Sequence, residues 1–166
     1  MFGVMKAPMK TKAARSTTAN LPVRIKSILV PIDFSQPSRK TLEFAARFAL
    51  QFKAKLTVVY VVEPVAPDFA AAFPLVMEND EMIAAARKRL EALLKASQVS
   101  RGVVQSILVR FGRSFHEITE AARTRKVDLI IISTHGYTGL KHVLLGSTTE
   151  RVVREAPCAV LVVRRR

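Results

Sequence analysis

The sequence predicts an α/β protein: a single open five-stranded parallel sheet, strand order 3-2-1-4-5, with helices on both faces. Three observations predict its parallel, two-faced architecture. Short, continuous apolar runs rich in β-branched residues recur along the chain, the pattern of strands buried on both sides. Segments with apolar residues at helical spacing separate them, so strand and helix alternate four times and a strand closes the series. The 166 residues are 49% apolar and 24% charged, enough to build one globular core.

The elements follow in order. Ile28-Leu29-Val30 is the first strand, ended by Pro31, Ile32 and Asp33. Ser35 is a good N-cap and Pro37 is tolerated in a first helical turn, so a helix runs from there to about Phe52. Leu42, Ala45, Ala46, Ala49 and Phe52 are its sheet-facing positions. Leu56 to Val62 is the second strand, stopped by Glu63 and Pro64. Residues 64–76 carry three prolines and several alanines and read as an irregular connection. A helix spans about Asn79 to Ala96, with Ile83, Ala86, Leu90, Leu93 and Leu94 inward. Val103 to Phe111 is the third strand. Ser114 and Glu117 have capping-box spacing and open a helix to about Thr124. Asp128 to Ser133 is the fourth strand. Ser147 and Glu150 form a second capping box opening a helix to about Glu155, and Ala159 to Val163 is the last strand.

Charge is unevenly spread. Of the net +14, six positive charges lie in residues 1–26, which hold no acid, and three are Arg164 to Arg166; the remainder carries +5. Residues 1–24 therefore read as a basic, disordered arm ahead of an α/β domain at residues 25–166. Nucleic acid is an expected partner only through these basic termini, by non-specific attraction. The arm's composition also permits an organelle transit peptide. No apolar run is long enough to span a membrane and there is no secretory signal pattern, so the expected location is cytoplasmic. The single cysteine, Cys158, excludes an intrachain disulfide, and its apolar neighbours predict a buried, inert thiol.

Ligands on such sheets bind beyond the carboxyl ends of the strands, where strand order reverses, here between strands one and four. The loops at that point are Pro31–Asp33 and Ser133–Gly146. After the fourth strand come Ser133, Thr134, His135 and Gly136, then Gly146 with Ser147, Thr148 and Thr149 at a helix start. First-turn N–H groups lack intrahelical acceptors and the helix dipole adds positive charge, so this stretch is a phosphate cradle. Read from the residues, Asp33 either contacts a ligand or caps its own turn, and His135, without a second histidine or cysteine nearby, is a loop residue or a phosphate contact rather than a metal ligand. There is no Walker-type Gly-x-x-x-x-Gly-Lys-Ser/Thr, no Gly-x-Gly-x-x-Gly after the first strand, no hydrolase elbow and no evident general base.

Residues 25–164 resemble the universal stress protein family. The resemblance is carried by Ile28-Leu29-Val30-Pro31-Ile32-Asp33-Phe34-Ser35, by Ser133-Thr134-His135-Gly136 through Gly146-Ser147-Thr148, and by Pro157-Cys158-Ala159-Val160-Leu161-Val162-Val163. It implies the adenine nucleotide alpha hydrolase-like, Rossmann-type fold. The family's nucleotide-binding branch has Gly-x-x-Gly, nine residues, then Gly-Ser or Gly-Thr. Here Gly136, the spacer Tyr137 to Leu145 and Gly146-Ser147 match, while Ser133 replaces the first glycine and its Cβ narrows the approach.

The resemblance implies an ATP-binding, dimeric stress-response module, with Mg2+ on the phosphates and no catalytic or metal-ligating side chain. It implies that Asp33 accepts hydrogen bonds from the nucleotide and that Pro31, Ile32 and Val61 contact the base. Ile132, Ser133, His135 and Gly136 would lie along ribose and phosphates, and Gly146, Ser147, Thr148 and Thr149 would hold the phosphates through N–H and hydroxyl groups. It implies a homodimer through the edge strand Val160–Val163. A nucleotide-free interaction protein of the same fold and a slow ATPase are the alternatives.

Overall fold

The computed structural model describes residues 24–64, 79–97, 99–100, 102–134 and 145–164. The elements are β1 (Ser27–Pro31), α1 (Gln36–Phe52), β2 (Lys55–Val62), α2 (Asn79–Ala96), β3 (Val104–Phe111), α3 (Ser114–Arg125), β4 (Leu129–Ser133), α4 (Ser147–Glu155) and β5 (Ala159–Val163). The sheet is parallel throughout, in the order β3-β2-β1-β4-β5. The predicted architecture and order are what the chain adopts.

The pleat explains why the strands are apolar without alternation. Ile28 and Val30 face one side of β1 and join a core with Leu42, Ala45 and Ala49 of α1 and Leu90 of α2. Leu29 faces the other side, with Ile130 beside it in register, and packs on Ile118, Ala121 and Ala122 of α3 and Val152 of α4. Residues on either face are therefore buried, and β1 and β4 are the least accessible elements.

Several local expectations change. Phe52 does not face the sheet. It sits at the exposed end of α1 and stacks on Phe48 at 4.5 Å between centroids. Neither capping box forms: α3 starts at Ser114 with Arg113 as N-cap, and α4 starts at Ser147 with Gly146 as N-cap, neither with a side-chain cap from the N-cap residue. Each serine is thus one position too far into its helix to cap it. Ser35 does cap α1, its hydroxyl accepting from the Ser38 N–H at 3.2 Å. Asp128 lies before β4 rather than in it, and its carboxylate accepts from the N–H groups of Lys26 and Ser27 at 2.8 and 3.0 Å, tying the start of β1 to that of β4.

Cys158 is half-buried rather than buried. Burial still raises its thiol above the ordinary value of 9.0, the Asp128 carboxylate adds to the rise, and a backbone hydrogen bond at Ile130 offsets part. The thiolate is disfavoured near neutral pH, which leaves this cysteine a poor nucleophile. No helix among the described residues is long and apolar enough to cross a membrane. The connection at 65–78 and the segment 135–144, with His135, Gly136, Tyr137, Lys141 and His142, lie outside the described residues.

Candidate functional site

The carboxyl ends of β1, β2 and β4 and the starts of α3 and α4 enclose a cavity of about 320 Å³. That volume falls within the range of small-molecule sites, and the position is the strand-order reversal between β1 and β4. Ten of the twelve residues singled out from the sequence line it: Pro31, Ile32, Asp33, Val61, Ile132, Ser133, Gly146, Ser147, Thr148 and Thr149. The other two, His135 and Gly136, lie outside the described residues. Ser38, Val59, Tyr60, Glu63, Ser114 and Ile118 also line the cavity and were not expected.

The β1 side is a rigid polar turn. Ile32 N–H donates to the Val59 carbonyl at 2.8 Å, extending the β1–β2 pairing one residue past the strand. Asp33 does what the turn-capping reading of it expected. Its Oδ1 accepts from both the N–H and the hydroxyl of Ser35, at 3.0 and 2.6 Å, so the side chain caps its own turn. Oδ2 makes no hydrogen bond among the described residues, and the residue lines the cavity. Ser38 hydroxyl donates to the Ser35 carbonyl at 3.0 Å and closes the turn.

This turn has a feature no sequence signal announces. Phe34 has φ 63°, left-handed backbone that a bulky residue adopts at a cost of about 1–3 kcal/mol. Its ring is 8% exposed, lies 4.7 Å from that of Tyr60 and carries the Arg89 guanidinium 4.0 Å from its centroid. Burial, the aromatic pair and the cation–π contact together offset the strain. A glycine would be the expected residue here, so the reversal of the chain at Phe34 was not legible.

The α4 side is built from main chain. Gly146 N–H donates to the Thr134 carbonyl at 2.8 Å and Thr134 N–H to the Val163 carbonyl at 3.2 Å, which seats the helix start over the end of β4. The buried Thr149 hydroxyl donates to the Ser133 carbonyl at 2.8 Å. That hydroxyl helps hold the start of α4 on the end of β4, and Thr149 also lines the cavity. The first intrahelical bond runs from Glu150 N–H to the Gly146 carbonyl, which leaves Ser147, Thr148 and Thr149 in the first turn, where N–H groups have no intrahelical acceptor. Gly146 as N-cap supplies no side-chain cap among the described residues, and Ser147, Thr148 and Thr149, which carry this turn of dipole-aligned donors, line the cavity.

The opposite wall differs in kind. Val59, Val61 and Ile118 supply apolar surface, and Glu63 and Asp33 bring the carboxylates. Glu63 Oε1 accepts from the Ser114 N–H at 2.8 Å and so caps α3 from across the sheet. Anion-accepting donors therefore stand at the β4 end, and an apolar slot with acceptor groups at the β1–β2 end.

Comparison with known proteins places this geometry in context. The family model described as "Universal stress protein family" matches residues 24–164. A curated universal stress protein of Methanocaldococcus jannaschii is 36% identical over 145 residues, covering 84% of this chain and 82% of that protein. The solved structure of a second protein from that organism, reported as a structure-based assignment of biochemical function, superposes with TM-score 0.73 at 28% identity, covering 87% of this chain and 99% of the other. A universal stress protein solved in complex with cAMP superposes with TM-score 0.60 at 24% identity, covering 86% of this chain and 99% of that one.

Proposed function

We propose that this chain, which belongs to the universal stress protein family, is an ATP-binding stress-response module whose nucleotide lies in the cavity between β1 and β4. The observation that carries the reading is the arrangement of the two walls. The first-turn amides of α4 face the cavity across from Asp33 and from the apolar slot of Val59, Val61 and Ile118. Phosphates meet the α4 amides, with Ser147 and Thr148 adding their hydroxyl groups, and Ile132 and Ser133 run along the ribose. The base rests on Pro31, Ile32 and Val61. The free Oδ2 of Asp33 accepts from the nucleoside. His135 and Gly136 belong to the same phosphate loop in this reading. A protein of the same fold was solved in complex with cAMP, which supports a nucleotide as the ligand.

Mg2+ arrives on the phosphates. The cavity presents no cluster of three metal-ligating side chains among the described residues, so the triphosphate itself is the main ligand of the ion. Among the described residues lining the cavity, the only candidate general bases are the two carboxylates at the nucleoside end, and binding rather than turnover is the role proposed. The basic arm at residues 1–24 stands outside this module, and the α/β domain of residues 25–166 acts as a cytoplasmic homodimer. Val160 to Val163, an apolar edge strand paired only with β4 among the described residues, is the surface the second copy covers.

One observation favours a second reading, a nucleotide-free interaction protein. Ser133, where the nucleotide-binding branch has glycine, is buried and lines the cavity, so its Cβ takes space beside the phosphate path. Titration calorimetry of nucleotide-stripped protein with ATP and Mg2+ separates the two. Saturable heat at one nucleotide per chain, with a Kd in the micromolar range or somewhat weaker, is the expected result. No heat at millimolar ATP rejects the nucleotide reading and leaves the interaction protein.

A further inference from the structure

The end of the sheet opposite the cavity carries a second surface. At the amino ends of the strands, Lys55 N–H donates to the Lys26 carbonyl at 2.8 Å and Asp128 N–H to the Ser27 carbonyl at 2.9 Å, so β2, β1 and β4 start in one row. Lys26 and Lys55 stand exposed on that row. Helices α1 and α3 end beside it, on opposite faces of the sheet, and their C-caps are the exposed Lys53 and Lys126. Lys53 precedes Lys55, and Lys126 precedes Asp128, by two residues, at most about 7 Å of chain. With strands about 4.8 Å apart, the four lysines form a ridge roughly 20 Å long across the sheet edge.

The positive charge of this ridge is not balanced. No ion pair among the described residues involves any of the four lysines. The Lys55 ammonium donates to the Gly102 carbonyl at 2.6 Å and keeps its charge. Asp128 is the acid within the row, and its carboxylate accepts from the N–H groups of Lys26 and Ser27. Glu155 stands at the end of α4, toward the β5 side. The chain enters β1 at this same end, and residues 1–23 add Lys6, Lys10, Lys12 and Arg15 without an acid.

Backbone strain accompanies the charge. Lys53 has φ 54° and Lys126 φ 50°, the left-handed conformation in which helices commonly end on glycine. The lysine Cβ is crowded there, and interaction of the ammonium with the helix dipole offsets only part of that. Two C-caps on one edge of the sheet thus keep lysine where glycine or asparagine would be less strained.

A line of uncompensated lysines suits a polyanion whose charges also repeat along a line. A bilayer surface calls for an apolar anchor beside the basic groups. The exposed large apolar side chains, Leu50, Phe52 and Val153, are divided between α1 and α4, and Leu50 and Phe52 point about 200° apart around α1. We propose that the amino end of the sheet is a nucleic-acid-binding face, on which Lys26, Lys53, Lys55 and Lys126 contact backbone phosphates without reading sequence. It works at the other end of the strands from the cavity and does not depend on what the cavity holds.

Fluorescence anisotropy of the full chain with a mixed-sequence DNA duplex of about 20 base pairs, from about 50 to 200 mM salt, tests the proposal. K53G/K126G removes two phosphate contacts at positions that glycine fits, so it melts at or above wild type. It binds the duplex about tenfold or more weakly at low salt, and its plot of log affinity against log salt is shallower by about 2. K53N/K126N gives the same loss, because asparagine also accepts this backbone. R87Q/K88Q, which removes two exposed charges from the middle of α2, stays within about twofold of wild type. Unchanged affinity and slope in K53G/K126G would assign the binding to residues 1–23 and overturn the face. An equal loss in R87Q/K88Q would mean attraction by net charge alone and overturn it too. Phosphatidylcholine–phosphatidylserine vesicles that bind wild type but not K53G/K126G, with no binding of the duplex, would identify a lipid surface in its place.

Discussion

Ile130→Ala lowers the free energy of unfolding by about 3–4 kcal/mol. Ile130 is fully buried in β4, beside Leu29 of β1 and in the cluster formed with Ile118, Ala121 and Val152, so truncation removes transfer free energy and leaves a void that two helices must close. Total stabilities of single domains are about 5–15 kcal/mol, so the loss is a large share, and for a chain of this length it shifts the unfolding midpoint downward by roughly 10 °C. Leu50→Ala is the matching control. Leu50 is 58% exposed on α1, and its truncation stays within about 0.5 kcal/mol of wild type. Urea denaturation of the two variants measures both. Equal stabilities would mean that Ile130 of β4 is not part of the packed core.

Thr148→Glu removes ATP binding while leaving the fold as stable as wild type or slightly more so. Thr148 is in the first turn of α4 and lines the cavity. A carboxylate there interacts favourably with the helix dipole, by about 0.3–1 kcal/mol, so the substitution does not act by unfolding the helix. It does place a negative charge on the donors assigned to the phosphates, and the resulting competition and repulsion weaken ATP by about a hundredfold or more. Thr148→Val, which removes the hydroxyl and adds no charge, costs about tenfold or less, because the main-chain donors remain. Calorimetry gives the affinities and circular dichroism melting gives the stability. Full ATP binding by T148E would place the phosphates elsewhere.

How much of this was legible in the sequence depends on the length scale of the interaction. The alternation of elements was legible because burial on both faces leaves continuous apolar runs, as in Leu129 to Ile132, which nothing local contradicts. The cavity's place followed from topology, and the residues next to a strand end, from Pro31 to Asp33 and from Ile132 to Ser133, came with it. Helix starts were read one residue late at α3 and α4. Ser-x-x-Glu spacing is consistent with a capping box wherever it falls, whereas Gly146 takes the N-cap position at φ −67° and ψ 150°, a conformation open to most residues.

What was not legible is held by partners far apart in the chain. Glu63 and Ser114 are 51 positions apart, and no periodicity links them. Phe34 adopts left-handed backbone without being glycine because Tyr60 and Arg89 close around its ring. The Thr149 hydroxyl ties α4 to Ser133, a bond that only the packed helix reveals. Tyr60, Val59 and Ile118 line the cavity from β2 and α3, and which residues of those elements reach its rim depends on where the cavity opens.

Backbone-amide NMR during titration with Mg2+ and ATP tests the central claim most directly. The N–H signals of Ser147, Thr148 and Thr149 should move saturably and together, with Asp33 following the same curve, because one ligand touches both walls. Binding that moves other amides while these three stay still would contradict a phosphate seat at the start of α4.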